Sequence, residues 1–310
     1  LIFVADIGGS FIKFGRSFAP SHLEECERVP TPTQDWADFV ATLKTLLHKY
    51  DKESQKQAPL ALSIAAMIDP QTGQAFCANI PCVSGHVIEQ ELSQELGRPV
   101  FAANDADCLG LAEAVEGAGK GHSNVFCTIF GTGAGGALII NGQLVQGVGG
   151  IMGEWGHGAI ANTHVTLAGE GMVEIPLIKC GCGQTGCLDT IGSARGLERI
   201  DSHLNGGRRN SHDILAAWQK GEHQAARTVS AWLQLVADAL ATVINITGSS
   251  IVPAGGGLAT DTKLMAALDQ AVRDRTLAHH AHSLVVPGHF SNNGGLRGAA
   301  ILARQRLSKK

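Results

Sequence analysis

The chain lacks the features that would assign it to several large protein classes. No apolar run approaches the roughly 20 residues needed to cross a bilayer, so a membrane protein is not expected. The opening Leu1-Ile2-Phe3-Val4 is cut short by Asp6 and carries no basic leader, which argues against a secretory signal. A basic surplus is also missing, because 24 Lys and Arg face 28 Asp and Glu for a net charge of -4. A mildly acidic surface attracts neither nucleic acid nor anionic membrane, and neither is expected as a partner. Gly-Lys-Ser/Thr does not occur, which removes the Walker type of phosphate loop.

Glycine is what the chain has in plenty. Its 39 glycines fall in clusters rather than in a repeat, as expected of loops that bring bare backbone up to a ligand. A length of 310 residues and a hydrophobic fraction of 44% suit a packed protein of two lobes. The eight cysteines do not read as a disulfide framework. Cys26, Cys77, Cys82, Cys108 and Cys127 are scattered through apolar stretches and are expected to be buried thiols. Cys180, Cys182 and Cys187 are grouped among glycines, like a metal site in a reducing cytoplasm.

Leu1–Ala5 reads as a buried strand running into Asp6-Ile7-Gly8-Gly9-Ser10. Trp36, Phe39, Val40, Leu43, Leu46 and Leu47 recur at helical spacing. Leu60–Ala65 and Val100–Ala103 read as strands, the latter ending at Asn104-Asp105 before a helix through Leu111 and Val115. Gly117–His122 is a candidate linker. A second half then opens the same way, with strand Val125–Phe130 running into Gly131-Thr132-Gly133-Ala134-Gly135-Gly136. Asn141-Gly142 between two apolar runs predicts a type I′ hairpin turn. Val229, Trp232, Leu233, Val236, Leu240, Val243 and Ile244 predict one face of a long helix, and Ser250–Ala254 a strand ending at Gly255-Gly256-Gly257. Alternating strands and helices in two similarly opened halves point to an α/β protein of two lobes with a ligand cleft between them.

Each cluster has a chemical reading beside a structural one. Gly8, Gly9 and Ser10 could hold phosphate oxygens through backbone N–H groups and a hydroxyl, with Asp6 placed to hold a water on Mg²⁺. An ordinary hairpin turn is the alternative. Gly131, Thr132 and Gly133 follow a buried strand, where backbone meets an anion most easily. Gly133-Ala134-Gly135 mimics part of a dinucleotide fingerprint, but a hairpin rather than a helix is predicted next. Gly255, Gly256 and Gly257 could lie against an adenosine or form a tight strand-to-helix turn. Asp105 could take a proton from an attacking hydroxyl, or cap the helix that follows. Three thiols within Cys180–Cys187 can wrap a tetrahedral ion, Zn²⁺ by geometry and softness, with His157 the best fourth ligand.

Taken in order, Asp6–Ser10, Asn104-Asp105, Gly131–Gly133, Gly153-Glu154-Trp155-Gly156-His157, Cys180–Cys187 and Gly255–Gly257 resemble the ROK family of bacterial sugar kinases and related repressors. The resemblance implies an actin-like, ribonuclease H-like ATPase fold that binds ATP, Mg²⁺ and a hexose. It divides the chain into a small lobe at 1–118, a larger lobe with the zinc motif at 119–295, and a last helix at about 296–310 packing back on the first lobe. It makes Asp105 the base that activates the sugar 6-hydroxyl. Asn79, Asn104, Glu154, His157 and Asp189 become sugar ligands, and His157, Cys180, Cys182 and Cys187 hold a structural zinc. It implies a cytoplasmic homodimer.

Within the family the likeness is to the N-acetylglucosamine kinases, through Arg28–Thr33, Ala78-Asn79-Ile80-Pro81, Ser84-Gly85 and Gly294–Ala300. Phosphorylation of the 6-hydroxyl of N-acetylglucosamine is therefore the expected activity. N-acetylmannosamine, glucose, fructose or allose kinases are the alternatives. A sugar-responsive repressor would carry a helix-turn-helix before the first glycine turn, and only five residues precede Asp6 here. A sugar-binding module without catalysis is disfavoured by the intact Asp105. Three residues depart from the kinase pattern: Ala65-Ala66 stand for the usual Pro-Gly beside the sugar, Asp189 for Glu, and Phe11 for a frequent Lys.

Overall fold

A computed structural model of the chain describes residues 1–51, 58–77, 79–160 and 162–309; Ala78 of the kinase-like stretch lies outside them. By its internal packing the chain separates into two units, one of residues 1–116, 142–152 and 292–310, the other of residues 117–141 and 153–291.

The first unit is built on strands β1 (Ile2–Ile7), β2 (Phe11–Ala19), β3 (His22–Pro30), β4 (Leu60–Ile64) and β5 (Val100–Asn104), in the order β3-β2-β1-β4-β5. β1, β4 and β5 run parallel, and their near-continuous apolar sequences suit strands covered on both faces. β2 folds back antiparallel on β1 through Gly8-Gly9-Ser10. Helices α1 (Trp36–Tyr50) and α2 (Ile88–Leu96) belong to this unit, as does α3 (Asp105–Val115). In α1 the predicted stripe Phe39, Val40, Leu43, Leu46 and Leu47 is buried, and Asp35 caps the first turn by accepting the Asp38 N–H. The C-terminal helix Gly294–Leu307 packs on α3 and on β1 and β4.

Backbone meets backbone at that last packing. A Cβ built on Gly298 would lie 1.7 Å from the Cys108 carbonyl oxygen, so no larger residue fits where the two helices cross. Register brings the carboxyl ends of the parallel strands level, with Ile7 beside Ile64 and Ile64 beside Asn104. That edge is where open α/β sheets bind ligands.

The second unit repeats the scheme. β6 (Asn124–Phe130), β7 (Ala134–Ile140), β8 (Val252–Gly255) and β9 (Val285–Pro287) lie in the order β7-β6-β8-β9, with β6 and β7 antiparallel and β6, β8 and β9 parallel. Four helices, α4 (Ala194–Asn205), α5 (Ser211–Gln219), α6 (His223–Thr247) and α7 (Thr262–Arg273), belong to this unit. Trp232 of α6 is fully buried, meets Phe130 of β6 edge-on at 5.4 Å, and donates its indole N–H to the Gly192 oxygen at 3.2 Å. Asn141 and Gly142 have φ of 51° and 72°, the pair of left-handed residues that the type I′ turn requires.

Two expectations are corrected. α6 is 25 residues long with a mean hydropathy of 1.5 over 18 of them, so one helix does reach membrane-spanning length and composition. Half of that window is buried, because α6 is packed by α4, α5 and α7. The scattered thiols are not uniformly buried: Cys108 and Cys127 are, whereas Cys26, Cys77 and Cys82 are half-exposed. All eight are free.

Candidate active site

In the first unit both clusters end parallel strands. Asp6 accepts a hydrogen bond from the Ser63 hydroxyl at 2.8 Å, and the Lys13 ammonium lies 3.9 Å from its other oxygen. Its carboxylate also faces the start of the C-terminal helix, where a Cβ on Gly295 would stand 2.4 Å from Asp6 Oδ1. Glycine there lets an anion reach a helix N-terminus, which carries partial positive charge. The turn itself is a hairpin, closed by Gly8 N–H to Phe11 O at 3.0 Å. Thr31 braces it, its hydroxyl donating to Gly8 O at 2.7 Å and its N–H to Ser10 O at 3.1 Å. Gly9 lies close to Asn79, where a Cβ would sit 3.2 Å from the Asn79 Cβ.

The departure at Phe11 does not strip this face of positive charge. Lys13 stands opposite both Asp6 and Arg28 in the register, and the Arg28 guanidinium lies over the Phe11 ring at 3.9 Å. Such a stack holds a cation in place. Ala66 is 2% exposed and belongs to the core of the unit, so the methyl that replaces the usual glycine hydrogen is accommodated by packing.

At the end of β5 the two readings of Asp105 separate. Asn104 is the helix cap, its Oδ1 accepting the Ala106 N–H at 2.8 Å while its Nδ2 donates to Ala66 O at 3.2 Å. Asp105 is the first helical residue and exposed. Its Oδ1 also receives the Ala106 N–H, at 2.9 Å, which orients the carboxylate. Asn104 thus performs the capping that the sequence left open to Asp105.

In the second unit Gly131-Thr132-Gly133 forms the β6–β7 turn, and Ala134 to Gly136 are already strand. The run expected to be one glycine loop is therefore half turn and half strand, with no helix following. Asp189 braces the turn: its Oδ1 accepts the Ala134 N–H at 2.7 Å and leaves no room for a Cβ on Gly133, which would lie 2.6 Å away. Ala194 N–H donates to Gly131 O at 3.0 Å. Gly256, at φ 84°, passes over Phe130, where a Cβ would stand 2.5 Å from backbone. Beside Gly257 opens a pocket of about 340 Å³, lined by Ala194, Ser211, Leu215, Gln219, Leu258 and Asp261 among others.

The same unit assembles the cysteine group with His157. One ligand atom from each of His157, Cys180, Cys182 and Cys187 lies within 4.8 Å of all the others. Cys182 and Cys187 sulfurs are 3.6 Å apart, and Cys180 Sγ is 3.7 Å from His157 Nδ1. With Zn–S bonds of about 2.3 Å, the edges of a tetrahedron are about 3.8 Å long, so the spacing and the soft donor set fit a zinc ion. Backbone N–H of Gln184, with the neighbouring thiols and His157, lowers the Cys182 thiol to about 7, while burial and its neighbours push Cys187 up to about 12. His157 Nε2 points away to Glu154, 3.7 Å off. Trp155 fixes this segment by donating to Gly135 O at 2.8 Å.

The sequence pattern that defines the ROK family matches residues 3–306. The chain belongs to the ROK family. The N-acetyl-D-glucosamine kinase of Vibrio cholerae serotype O1 is 33% identical over 297 residues, spanning 96% of this chain and 97% of the relative. The enzyme of the same name from Pectobacterium atrosepticum is also 33% identical, over the same shares of each chain. The crystal structure of a ROK hexokinase from Thermus thermophilus matches with a TM-score of 0.83 at 27% identity, over 100% of this chain and 99% of that one. The repeated α/β units are accordingly the actin-like ATPase fold of the ROK proteins.

Within the first unit of this ROK chain, Asp6, Gly8, Gly9, Ser10 and Asn79 gather around one hairpin, with Asn104 ending a strand of the same sheet and Asp105 opening the helix that follows it. Within the second, Gly131, Thr132, Gly133 and Asp189 meet at one turn, Gly255 to Gly257 border β6, and Glu154 joins the His157 and cysteine group. Sequence reasoning missed Ser63, Lys13 and Gly295 around Asp6. Lys13 was detectable in principle, because a β2 alternating in and out of the core puts Phe11 and Lys13 on one face.

Proposed function

We propose that the chain is an ATP-dependent sugar kinase that phosphorylates the 6-hydroxyl of N-acetyl-D-glucosamine, giving the 6-phosphate and ADP. The observation that carries this reading is 33% identity, over nearly the full length of both chains, to proteins of that activity. Asp105 supports it, being exposed and oriented by the Ala106 N–H, with Asn104 as the helix cap.

In this reading Asp105 accepts the proton of the 6-hydroxyl as its oxygen attacks the γ-phosphorus of ATP and the bond to ADP breaks. Backbone N–H groups of Gly8, Gly9 and Ser10, and of Gly131, Thr132 and Gly133, hold phosphate oxygens. Gly255, Gly256 and Gly257 bind the adenosine, with Gly257 lining the pocket that receives it. Asp6 holds a water of the Mg²⁺ that accompanies ATP and neutralises phosphate charge. Asn79 and Asn104, with Glu154, His157 and Asp189, are the sugar ligands. The reading includes a cytoplasmic homodimer, on family likeness alone. It is tested by sugar-dependent release of ADP.

His157, Cys180, Cys182 and Cys187 would hold a structural Zn²⁺, which when bound fixes the imidazole and the chain around it. With Nδ1 turned to the thiols, Nε2 is left to face Glu154 and a sugar hydroxyl. Purified protein should accordingly carry about one zinc per chain. Cys182→Ala should lose the metal and at least tenfold in sugar affinity together, as loss of a metal-site partner does. Elemental analysis and calorimetry check this; wild-type protein free of zinc at full activity would refute it.

A further inference from the structure

The side chain of Cys77 ties the segment that carries Asn79 to the segment that replaces Pro-Gly. Its thiol donates to Ala65 O at 2.8 Å and accepts the Ile80 N–H at 3.1 Å. Its own backbone is locked by Ser84, whose hydroxyl accepts the Cys77 N–H and donates to the Cys77 carbonyl, both at 2.9 Å.

The other ends of these segments are equally fixed. Ala65 N–H donates to Ile7 O at 3.0 Å, beside the first phosphate turn, and Ala66 O receives Asn104 Nδ2 at 3.2 Å. Ile80 is fully buried, and Asn79 packs against Gly9. Cys77 therefore stands at the node from which Ala65-Ala66, Asn79 and, through Ala66, Asn104 are all held in register.

We infer that Cys77 is a positioning residue for the sugar, setting where Asn79 and Asn104 stand relative to the base Asp105. It rests on the kinase reading above. A thiol suits the task because one atom can both donate and accept, so it bridges a carbonyl and an N–H that neither helix nor sheet would satisfy. Without it, Ala65 O and Ile80 N–H lose their partner, and an orphaned buried polar group moves or destabilises its segment. The effect should fall mainly on the sugar, because the thiol's bonds end on Ala65 and Ile80 whereas Gly8 and Ser10 are held by Phe11 and Thr31.

The test compares Cys77→Ala, Cys77→Val and Cys77→Ser with the wild-type protein, reading KM for sugar, KM for ATP and kcat/KM for N-acetylglucosamine against N-acetylmannosamine. Loss of one such pair of bonds is expected to raise KM for the sugar about tenfold in the Ala and Val variants. KM for ATP should stay within about twofold, and the preference between the two sugars should narrow. Ser, which keeps a donor and an acceptor, should recover most of the loss. Val fills the space of the thiol, so it serves if Ala fails to fold. An active wild type whose Ala or Val variant keeps both its sugar KM and its preference overturns this inference alone. A wild type that turns over no sugar overturns the kinase reading, and this inference with it.

Discussion

Asp105→Asn should lower kcat by about 10²–10⁴, the range that a positioned general base contributes, while KM for the sugar stays within about threefold. The amide keeps the shape of the carboxylate and can still accept the Ala106 N–H, so helix α3 keeps its start. Capping rests on Asn104, whose Oδ1 lies 2.8 Å from the same N–H. What the variant loses is the capacity to take a proton. Steady-state kinetics with parallel calorimetry of sugar binding separates the two effects. A variant with near-normal kcat would remove Asp105 from the chemistry.

Gly298→Ala should be the most damaging small substitution for stability. Its Cβ would fall 1.7 Å from the Cys108 oxygen, 2.3 Å from the carbonyl carbon and 2.5 Å from the Cα. All three are backbone atoms, so no side-chain rotation relieves the overlap and the C-terminal helix must move off α3. A loss of about 3 kcal/mol or more is expected, at the upper end of overpacking. Activity should fall as well, because α3 begins at Asp105 and the displaced helix begins beside Asp6. Gly135→Ala is the control: nothing lies within 4 Å of its Cβ, and it should change stability by no more than about 1 kcal/mol. Urea midpoints distinguish the two. Equal midpoints would mean that the helix crossing is looser than its backbone contact implies.

The parts of this fold that could be read in the sequence are those where one physical requirement dominates. β1, β4, β5 and β6 announce themselves because a strand buried on both faces has to be apolar throughout. Asn141-Gly142 does so because few other pairs tolerate two left-handed residues. The zinc-like group was legible because three thiols in eight residues have few other uses.

Elsewhere requirements compete. β2 and β3 carry charges, Lys13 and Arg16 at half-buried positions and Glu24 at an exposed one, and were not recognised as strands. In the glycine run after β6, the same residues suit a turn and a strand, and only pairing with β6 shows that strand resumes at Ala134. Asn104 and Asp105 are both good caps, and geometry alone gives the task to Asn104. Asp189 was read only for a sugar, and its Oδ1 is in addition seen bracing the turn at Ala134. Gly295, Gly298 and Cys77 matter through contacts with residues tens to hundreds of positions away, or with a loop of irregular backbone, and no local pattern encodes such distances.

The most direct test is a coupled ADP-release assay with ATP·Mg²⁺ and zinc-loaded protein against N-acetylglucosamine, N-acetylmannosamine, glucose, mannose, fructose and allose. N-acetylglucosamine should give the highest kcat/KM by a wide margin. A different preferred sugar would keep the fold and the base but contradict the substrate, and point first to Ala65-Ala66. No release of ADP with any of the six would contradict the kinase itself.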